Sequence, residues 1–171
     1  MIATTLLTLA CGLIAGGFHH AFGVAPILGA ILCASFFLRP RELFWVGLGG
    51  MLVRDLLMGL SLFTLFRLAG MALVVAAVVA LKVRPNLRSL LTGLLVSSPI
   101  FHLTLSVGNW ATGTCGNWAR TPGGLAQSIA SSVAYLQRSF VGDVLFASLF
   151  LGAYTLAACS WSWSKSIRSI N

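Results

Sequence analysis

The chain has 171 residues, of which 58% are hydrophobic and 8% are charged. Soluble domains carry roughly a quarter charged residues, so this composition excludes a protein that is water-soluble over most of its length. Eleven Lys and Arg against three Asp and Glu give a formal net charge of +8. In a membrane protein such an excess sets the orientation of the spans, and we therefore predict an all-α integral membrane protein with no nucleic-acid partner.

The apolar segments, taken in chain order, predict six transmembrane helices in a single domain over residues 1–171. The first segment lacks the basic region of a secretory signal and is predicted to be a retained span. A short amphipathic helix over residues 125–136 is expected to lie at the membrane surface or to fold into the protein before the last span. The predicted spans cover residues 2–18, 25–38, 43–60, 66–81, 90–107 and 140–161, and the outer loop with the surface helix covers residues 108–136.

Basic residues predict the orientation of these spans. Six spans would bring both termini to one face, together with most of the Lys and Arg residues of the loops. Because basic loops stay on the cytoplasmic side, this face is predicted to be cytoplasmic and the membrane to be the inner membrane of a bacterium. The basic residues assigned to it are Arg39, Arg41, Lys82, Arg84, Arg88, Lys165 and Arg168.

Polar residues that do not belong in lipid are predicted to gather at the outer end of the spans. At ~1.5 Å per residue, Arg54 and Asp55 lie in the outer part of the third span, and His102 and Asn109 near the outer end of the fifth. Asp143 is expected in the first turn of the sixth. Ionised side chains inside a membrane normally face a protein interior or a wet cavity and have partners.

Two interpretations of these residues stay open. Arg54 can pair with Asp143 or Asp55 and connect spans three and six as a structural ion pair. Alternatively, the same groups form the floor of an outward-facing pocket that the loop from Gly108 to Gly124 covers, and both interpretations can hold together.

Enzymatic chemistry has little support in the sequence. Three acids in all leave few groups for acid–base catalysis, and no nucleophile elbow, metalloprotease helix or phosphate-binding loop is present. The four cysteines have no CxxC spacing, so we predict no metal site and no cofactor. In the first span, small residues form a face that another helix could approach closely, either within the protein or in a partner. These residues are Cys11, Gly12, Ala15 and Gly16.

Several short motifs between His20 and Gly152 resemble a family of bacterial membrane proteins allied to the substrate-binding S components of energy-coupling-factor (ECF) vitamin transporters. The matching segments are Pro26-Ile27-Leu28-Gly29-Ala30, Arg54-Asp55-Leu56-Leu57-Met58-Gly59, Asn109-Trp110-Ala111-Thr112-Gly113, Arg120-Thr121, Gly124-Leu125 and Ser139-Phe140-Val141-Gly142-Asp143. The resemblance implies a six-helix S-component-like bundle that holds a small molecule at the extracellular side. It also implies that the first span faces the coupling subunit of an ATPase module.

The sequence thus leads to two functional hypotheses. The first is a membrane-embedded binding subunit for uptake of a small vitamin-like solute, with an ECF-type coupling subunit, ATPases and membrane lipid as possible partners. The second is a membrane scaffold or assembly protein that transports nothing and whose polar residues are structural. For the first hypothesis, the predicted binding residues are Arg54, Asp55, His102, Asn109, Trp110, Arg120 and Asp143.

Overall fold

The computed structural model describes residues 27–114 and 116–168, and every regular element within them is helical. This confirms the predicted all-α class. The elements are α1 (Ile27–Ala34), α2 (Pro40–Met58), α3 (Leu62–Leu81), α4 (Leu87–Thr112) and α5 (Pro122–Arg168). The predicted span over residues 2–18, the small-residue face Cys11, Gly12, Ala15 and Gly16, and Cys115 lie outside the described residues.

Helices α2, α3 and α4 alternate in direction. Gly47 of α2 lies against Met71 and Val75 of α3, as the turn at residues 59–61 requires of an antiparallel pair. Gly108 near the end of α4 lies against Phe66 near the start of α3, so a Cβ at residue 108 would approach the Phe66 Cβ to 2.6 Å. Helices α3 and α4 therefore pack at very short range and in opposite directions.

This alternation defines two ends of the bundle. We call the end where α2 and α4 finish and α3 and α5 begin the loop end, because it holds the loop between Thr112 and Pro122. We call the opposite end, where α2 and α4 begin, the basic end. Five basic residues lie there, next to the ends of α2, α3 and α4: Arg39, Arg41, Lys82, Arg84 and Arg88.

The prediction of six spans is not supported. Among the described residues, three helical segments are long and apolar enough to cross a membrane: Leu62–Leu81, Leu87–Thr112 and Pro122–Ala153. The described part of α1 has eight residues and extends about 12 Å, less than the roughly 30 Å hydrocarbon core. Helix α2 is long enough but carries four charged residues, Arg41, Glu42, Arg54 and Asp55.

Helix α5 replaces two predicted elements with one. The surface helix 125–136 and the span 140–161 belong to one continuous helix of 47 residues, about 70 Å long. Its serines do not interrupt the helix because their hydroxyls bond to backbone carbonyls, as Ser131 Oγ does to Ser128 O at 2.8 Å and Ser132 Oγ to Ile129 O at 2.8 Å. No proline interrupts the chain after Pro122.

The apolar core surrounds α1 in the part of the bundle nearer the basic end. Leu32 of α1 is fully buried and lies against Gly93 in the second turn of α4. Towards the loop end the buried residues are mainly polar, with Phe63 as a buried apolar residue among them. From the middle of α4 to the loop end, the buried polar residues are Asp55, Thr64, Ser97, Ser98, His102, Ser106 and Ser128. Buried polar side chains are therefore concentrated in the half of the bundle nearer the loop end.

Candidate polar site at the loop end

A three-residue ionic cluster joins α2 to α3 near the loop end. Asp55 Oδ1 accepts a hydrogen bond from Arg67 Nη1 at 2.8 Å and one from Arg54 Nη1 at 3.3 Å. Asp55 is completely buried, whereas 11% of the Arg54 side chain and 22% of the Arg67 side chain are exposed. Arg67 also stacks over the ring of Phe63, one helical turn earlier, at 4.7 Å. The cluster carries two positive charges and one negative charge.

Arg67 was absent from the predicted binding residues. Asp55 and Arg67 lie at equal distances in sequence on either side of Ser61, at the centre of the α2–α3 hairpin. In an antiparallel hairpin such positions are at the same level, so this symmetry was the signal that could have identified Arg67. The ion pairs of the described side chains both end on Asp55, so of the two predicted partners for Arg54 the structure selects Asp55.

Asp143 lies far from this cluster. It is about 32 Å along α5 from Pro122 at ~1.5 Å per residue, and it is completely buried against the first turn of α1. Its Oδ1 accepts the backbone N–H of Gly29 at 2.8 Å, and its Oδ2 accepts from Ser139 Oγ at 3.5 Å. The expectation that Asp143 begins a span at the outer end is therefore wrong, because α5 begins at Pro122. Asp143 instead accepts a backbone N–H of α1, at the beginning of the residues that the structure describes.

Trp110 and Arg120 each donate a side-chain hydrogen bond that holds the loop against the end of α4. Trp110 Nε1 donates to the carbonyl of Ala119 at 2.9 Å, and Arg120 Nη1 donates to the carbonyl of Trp110. Gly113 ends α4 with a φ of 70°, which glycine adopts without strain. An arginine at the end of a helix also neutralises the partial negative charge of the last carbonyls.

One face of α4 carries a polar stripe formed by Ser98, His102, Ser106 and Asn109, which follow one another at helical spacing. Ser106 connects this stripe to α5. Its hydroxyl donates to the carbonyl of His102 at 2.8 Å and contacts Ser132 Oγ at 2.8 Å, while Ser128 Oγ donates to the carbonyl of Ser106 at 2.9 Å. At Ser106 the stripe thus lies at the α4–α5 interface.

Between the middle of α4 and the loop end, several buried polar atoms have no hydrogen-bond partner among the residues that the structure describes. Four of the seven predicted binding residues contribute such an atom, whereas Trp110, Arg120 and Asp143 use their polar groups in the contacts described above. The unpartnered atoms are Arg54 Nε, Asp55 Oδ2, Ser97 Oγ, Ser98 Oγ, His102 Nε2 and Asn109 Oδ1.

The ionic cluster and the polar stripe reach the same level of the bundle. Gly108 lies against Phe63 and Phe66, so its neighbour Asn109 is at the level of the first turns of α3, and Arg67 in the second turn of α3 is at a similar level. His102 is two helical turns deeper. The structure therefore divides the predicted residues into groups. Arg54 and Asp55 share the α2–α3 cluster, His102 and Asn109 share the stripe, Trp110 and Arg120 share the loop, and Asp143 lies apart.

The part of the chain that the structure describes contains no group of three His, Cys, Asp or Glu residues that could hold a metal ion. Cys33 is a buried free thiol within the apolar core. What the loop end offers is a set of hydrogen-bond donors and acceptors with a surplus of positive charge.

The contact between Trp110 and Ala119 yields a direct test of the loop. Replacing Trp110 by Phe keeps the ring but removes the N–H donor, which should cost about 1 kcal/mol and make opening of the loop roughly fivefold more frequent. Trypsin cleavage after Arg120, followed by mass spectrometry in detergent, measures that opening. Trp45→Phe is the control because Trp45 lies at the basic end and is exposed. Equal cleavage rates in the two variants would show that the indole does not hold the loop.

Comparison with known proteins assigns a family but not an activity. No curated protein and no solved structure matches the chain significantly. A family model described as a family of unknown function (DUF6580) matches residues 1–165, nearly the full length. The chain therefore belongs to this family of unknown function, DUF6580.

Proposed function

We propose that this protein is a membrane-embedded binding subunit for the uptake of a small, polar, vitamin-like solute, which it holds at the loop end of the bundle. The observation that carries the proposal is the set of unpartnered buried polar atoms on Arg54, Asp55, His102 and Asn109. A buried donor or acceptor without a partner costs about 1–3 kcal/mol. Lipid offers no hydrogen bonds to compensate this cost. A bound polar molecule would supply hydrogen bonds to several of these groups.

The position of these groups supports the proposal. Buried residues nearer the basic end form an apolar core, and the unpartnered groups extend from the middle of α4 to the loop end. The loop between α4 and α5 is at this end of the bundle, and the hydrogen bonds of Trp110 and Arg120 hold it against the end of α4. It would act as a lid, opening when the Trp110–Ala119 contact breaks.

The wider setting of the proposal follows from the resemblance to ECF S components and from the distribution of charge. The protein would lie in the inner membrane of a bacterium, with both termini and the basic end towards the cytoplasm. The loop end would then face outwards, where the solute is captured. An ECF-type coupling subunit and its ATPases would supply the energy for release, because the three acids of the chain offer no site for ATP hydrolysis.

A second candidate function is a membrane scaffold whose polar groups are structural. It is favoured by Asp143, which serves to hold α1 on α5 through Gly29, and by the contacts between Trp110, Ala119 and Arg120. In this alternative the remaining polar groups would be hydrated or would contact partner subunits, and no small molecule would be bound.

Native mass spectrometry of the protein purified in mild detergent from its own host distinguishes these functions. We expect the wild-type protein to carry a stoichiometric small-molecule adduct. In the Asn109→Ala variant the adduct should be depleted by about tenfold or more, since the variant loses hydrogen-bonding groups in the site. Thr92→Ala is the matched control, because Thr92 is on the same helix but exposed, and its hydroxyl donates to the carbonyl of Arg88 one turn earlier. A folded protein with no adduct and with stable protein partners would favour the scaffold.

A further inference from the structure

Among the side chains that the structure describes, the ionic cluster at the loop end has one acid facing two arginines. Arg54 and Arg67 contribute two positive charges, and arginine stays protonated in proteins. Asp55 contributes the single negative charge that faces them. The whole chain has three acids, and the other two are committed elsewhere. Glu42 caps α2 at the basic end by accepting from the Arg39 N–H at 3.0 Å, and Asp143 is bound to Gly29.

The two arginines also have unused donors. Arg54 Nε is buried without a partner, although its Nη1 contacts Asp55 Oδ1 and Met51 Sδ. Arg67 has five N–H donors, and its one hydrogen bond to the described residues goes to Asp55. The ring of Phe63 covers one face of the guanidinium, and 22% of the Arg67 side chain is exposed. Arg67 is therefore the more accessible of the two arginines, since 11% of the Arg54 side chain is exposed.

A planar guanidinium presents paired donors that match the oxygens of a carboxylate or a phosphate, and it binds such groups with two parallel hydrogen bonds. We infer that the Arg54–Asp55–Arg67 cluster binds the carboxylate or phosphate group of an anionic ligand, with Arg67 as the accessible contact. Asp55 holds both arginines in position and is itself buried. Its unpartnered Oδ2 can accept a hydrogen bond from a donor adjacent to the anionic group.

This inference rests on the proposed function and narrows it, because it makes the solute an acid with a hydrogen-bond donor. Phospholipid headgroups carry the same phosphate chemistry, and a lipid could therefore occupy the cluster in place of a solute. The measurement must distinguish these two sources.

The first arm of the test uses inorganic probes. The thermal unfolding midpoint of the delipidated protein in detergent is measured in sodium phosphate, sodium acetate and sodium chloride at equal ionic strength. We expect phosphate or acetate to raise the midpoint of the wild-type protein above its value in chloride. Arg67→Gln should abolish the difference, and Arg67→Lys should retain part of it, since lysine keeps the charge but not the paired donors. Equal midpoints in the three salts, or the same increase in Arg67→Gln, would overturn the inference.

Arg88→Gln is the control for a change in net charge. Arg88 is exposed in the first turn of α4 at the basic end, so its loss should leave the effect of phosphate or acetate unchanged. Loss of the effect in this variant as well would show that the anions act on the overall charge of the protein, and the inference would fail.

The second arm identifies the natural ligand by native mass spectrometry of the protein from its host. An acidic small-molecule adduct, retained in Arg88→Gln and reduced about tenfold or more in Arg67→Gln, supports both the inference and the proposed function. A phospholipid adduct with the same dependence supports the anion site but contradicts solute binding. A neutral adduct that Arg67→Gln retains and Asn109→Ala loses supports solute binding but overturns the anion site.

Discussion

Replacing Asp55 by Asn is expected to destabilise the protein more than any other removal of an acid. The substitution leaves Arg54 and Arg67 without an opposing charge in a buried site, and breaking a buried ion pair on one side costs about 3–5 kcal/mol. The amide has the same shape, so the loss would be one of charge and not of packing. The rate of irreversible unfolding in detergent, followed by tryptophan fluorescence at fixed temperature, measures the effect.

The other two acids provide matched controls for Asp55→Asn. Glu42→Gln removes the same charge from a half-buried position at the basic end, where the hydrogen bond that it accepts is exposed, and should change stability by about 0.5 kcal/mol or less. Asp143→Asn should have an intermediate effect, because the amide oxygen can still accept the Gly29 N–H. If Asp55→Asn unfolds no faster than Glu42→Gln, the cluster contributes nothing to the fold.

Replacing Gly29 by Ala is expected to separate α1 from α5. The new Cβ would lie 2.7 Å from the backbone carbonyl oxygen of Asp143, which is shorter than a normal contact and cannot be relieved by rotating a side chain. The helices would have to move apart, which weakens the hydrogen bond from the Gly29 N–H to Asp143 Oδ1. Overpacking of this kind costs about 1–3 kcal/mol, and the lost hydrogen bond adds to it.

Gly152→Ala is the control for Gly29→Ala. Gly152 lies in α5, on which α1 packs, but a Cβ at residue 152 would have no neighbour within 4 Å. Since alanine is favoured over glycine in helices by about 0.5–1 kcal/mol, this variant should be as stable as the wild-type protein or slightly more stable. The thermal midpoints of both variants in detergent give the comparison. Equal midpoints for Gly29→Ala and the wild-type protein would show that α1 and α5 are not held at this short distance.

The positions of the three acids show why each has a different expected effect. Asp55 opposes two arginines, Asp143 accepts the Gly29 N–H of α1, and Glu42 caps an exposed helix end. Two of these roles are structural, as the scaffold hypothesis expects of buried polar residues. The cluster around Asp55 differs because its charge is not balanced, and this imbalance is the basis of the proposed anion site.

The helical class could be predicted from the sequence because it depends on local properties. A chain with 58% hydrophobic and 8% charged residues must satisfy its backbone within helices if it lies in lipid. The apolar runs that begin near Phe66 and Leu90 contain the greater part of α3 and α4. The sequence also identified Arg54, Asp55, His102 and Asn109 as polar residues within apolar segments. In the structure each of them has an unpartnered buried polar atom among the described residues.

The number of spans could not be predicted in this way. The predicted break before residue 140 was wrong, because α5 is continuous there. Serine, glutamine and arginine in the first part of α5 lower its mean hydropathy, so this part was separated from the apolar segment that follows. The tertiary structure decides otherwise, because Ser128 and Ser132 bond to α4 through Ser106 and the helix continues without interruption. A hydropathy window cannot detect hydrogen bonds to another helix.

The sequence by itself determined an all-helical, strongly basic chain with three acids, of which two lie in apolar segments. Only the tertiary structure decided which partners those acids have. Arg67 reaches Asp55 because two helices run antiparallel on either side of a short turn. Asp143 meets Gly29, far away in the sequence, because α1 packs on α5. Pairings of this kind depend on how helices pack and not on local propensity, so the charge imbalance of the cluster became visible only in the folded chain.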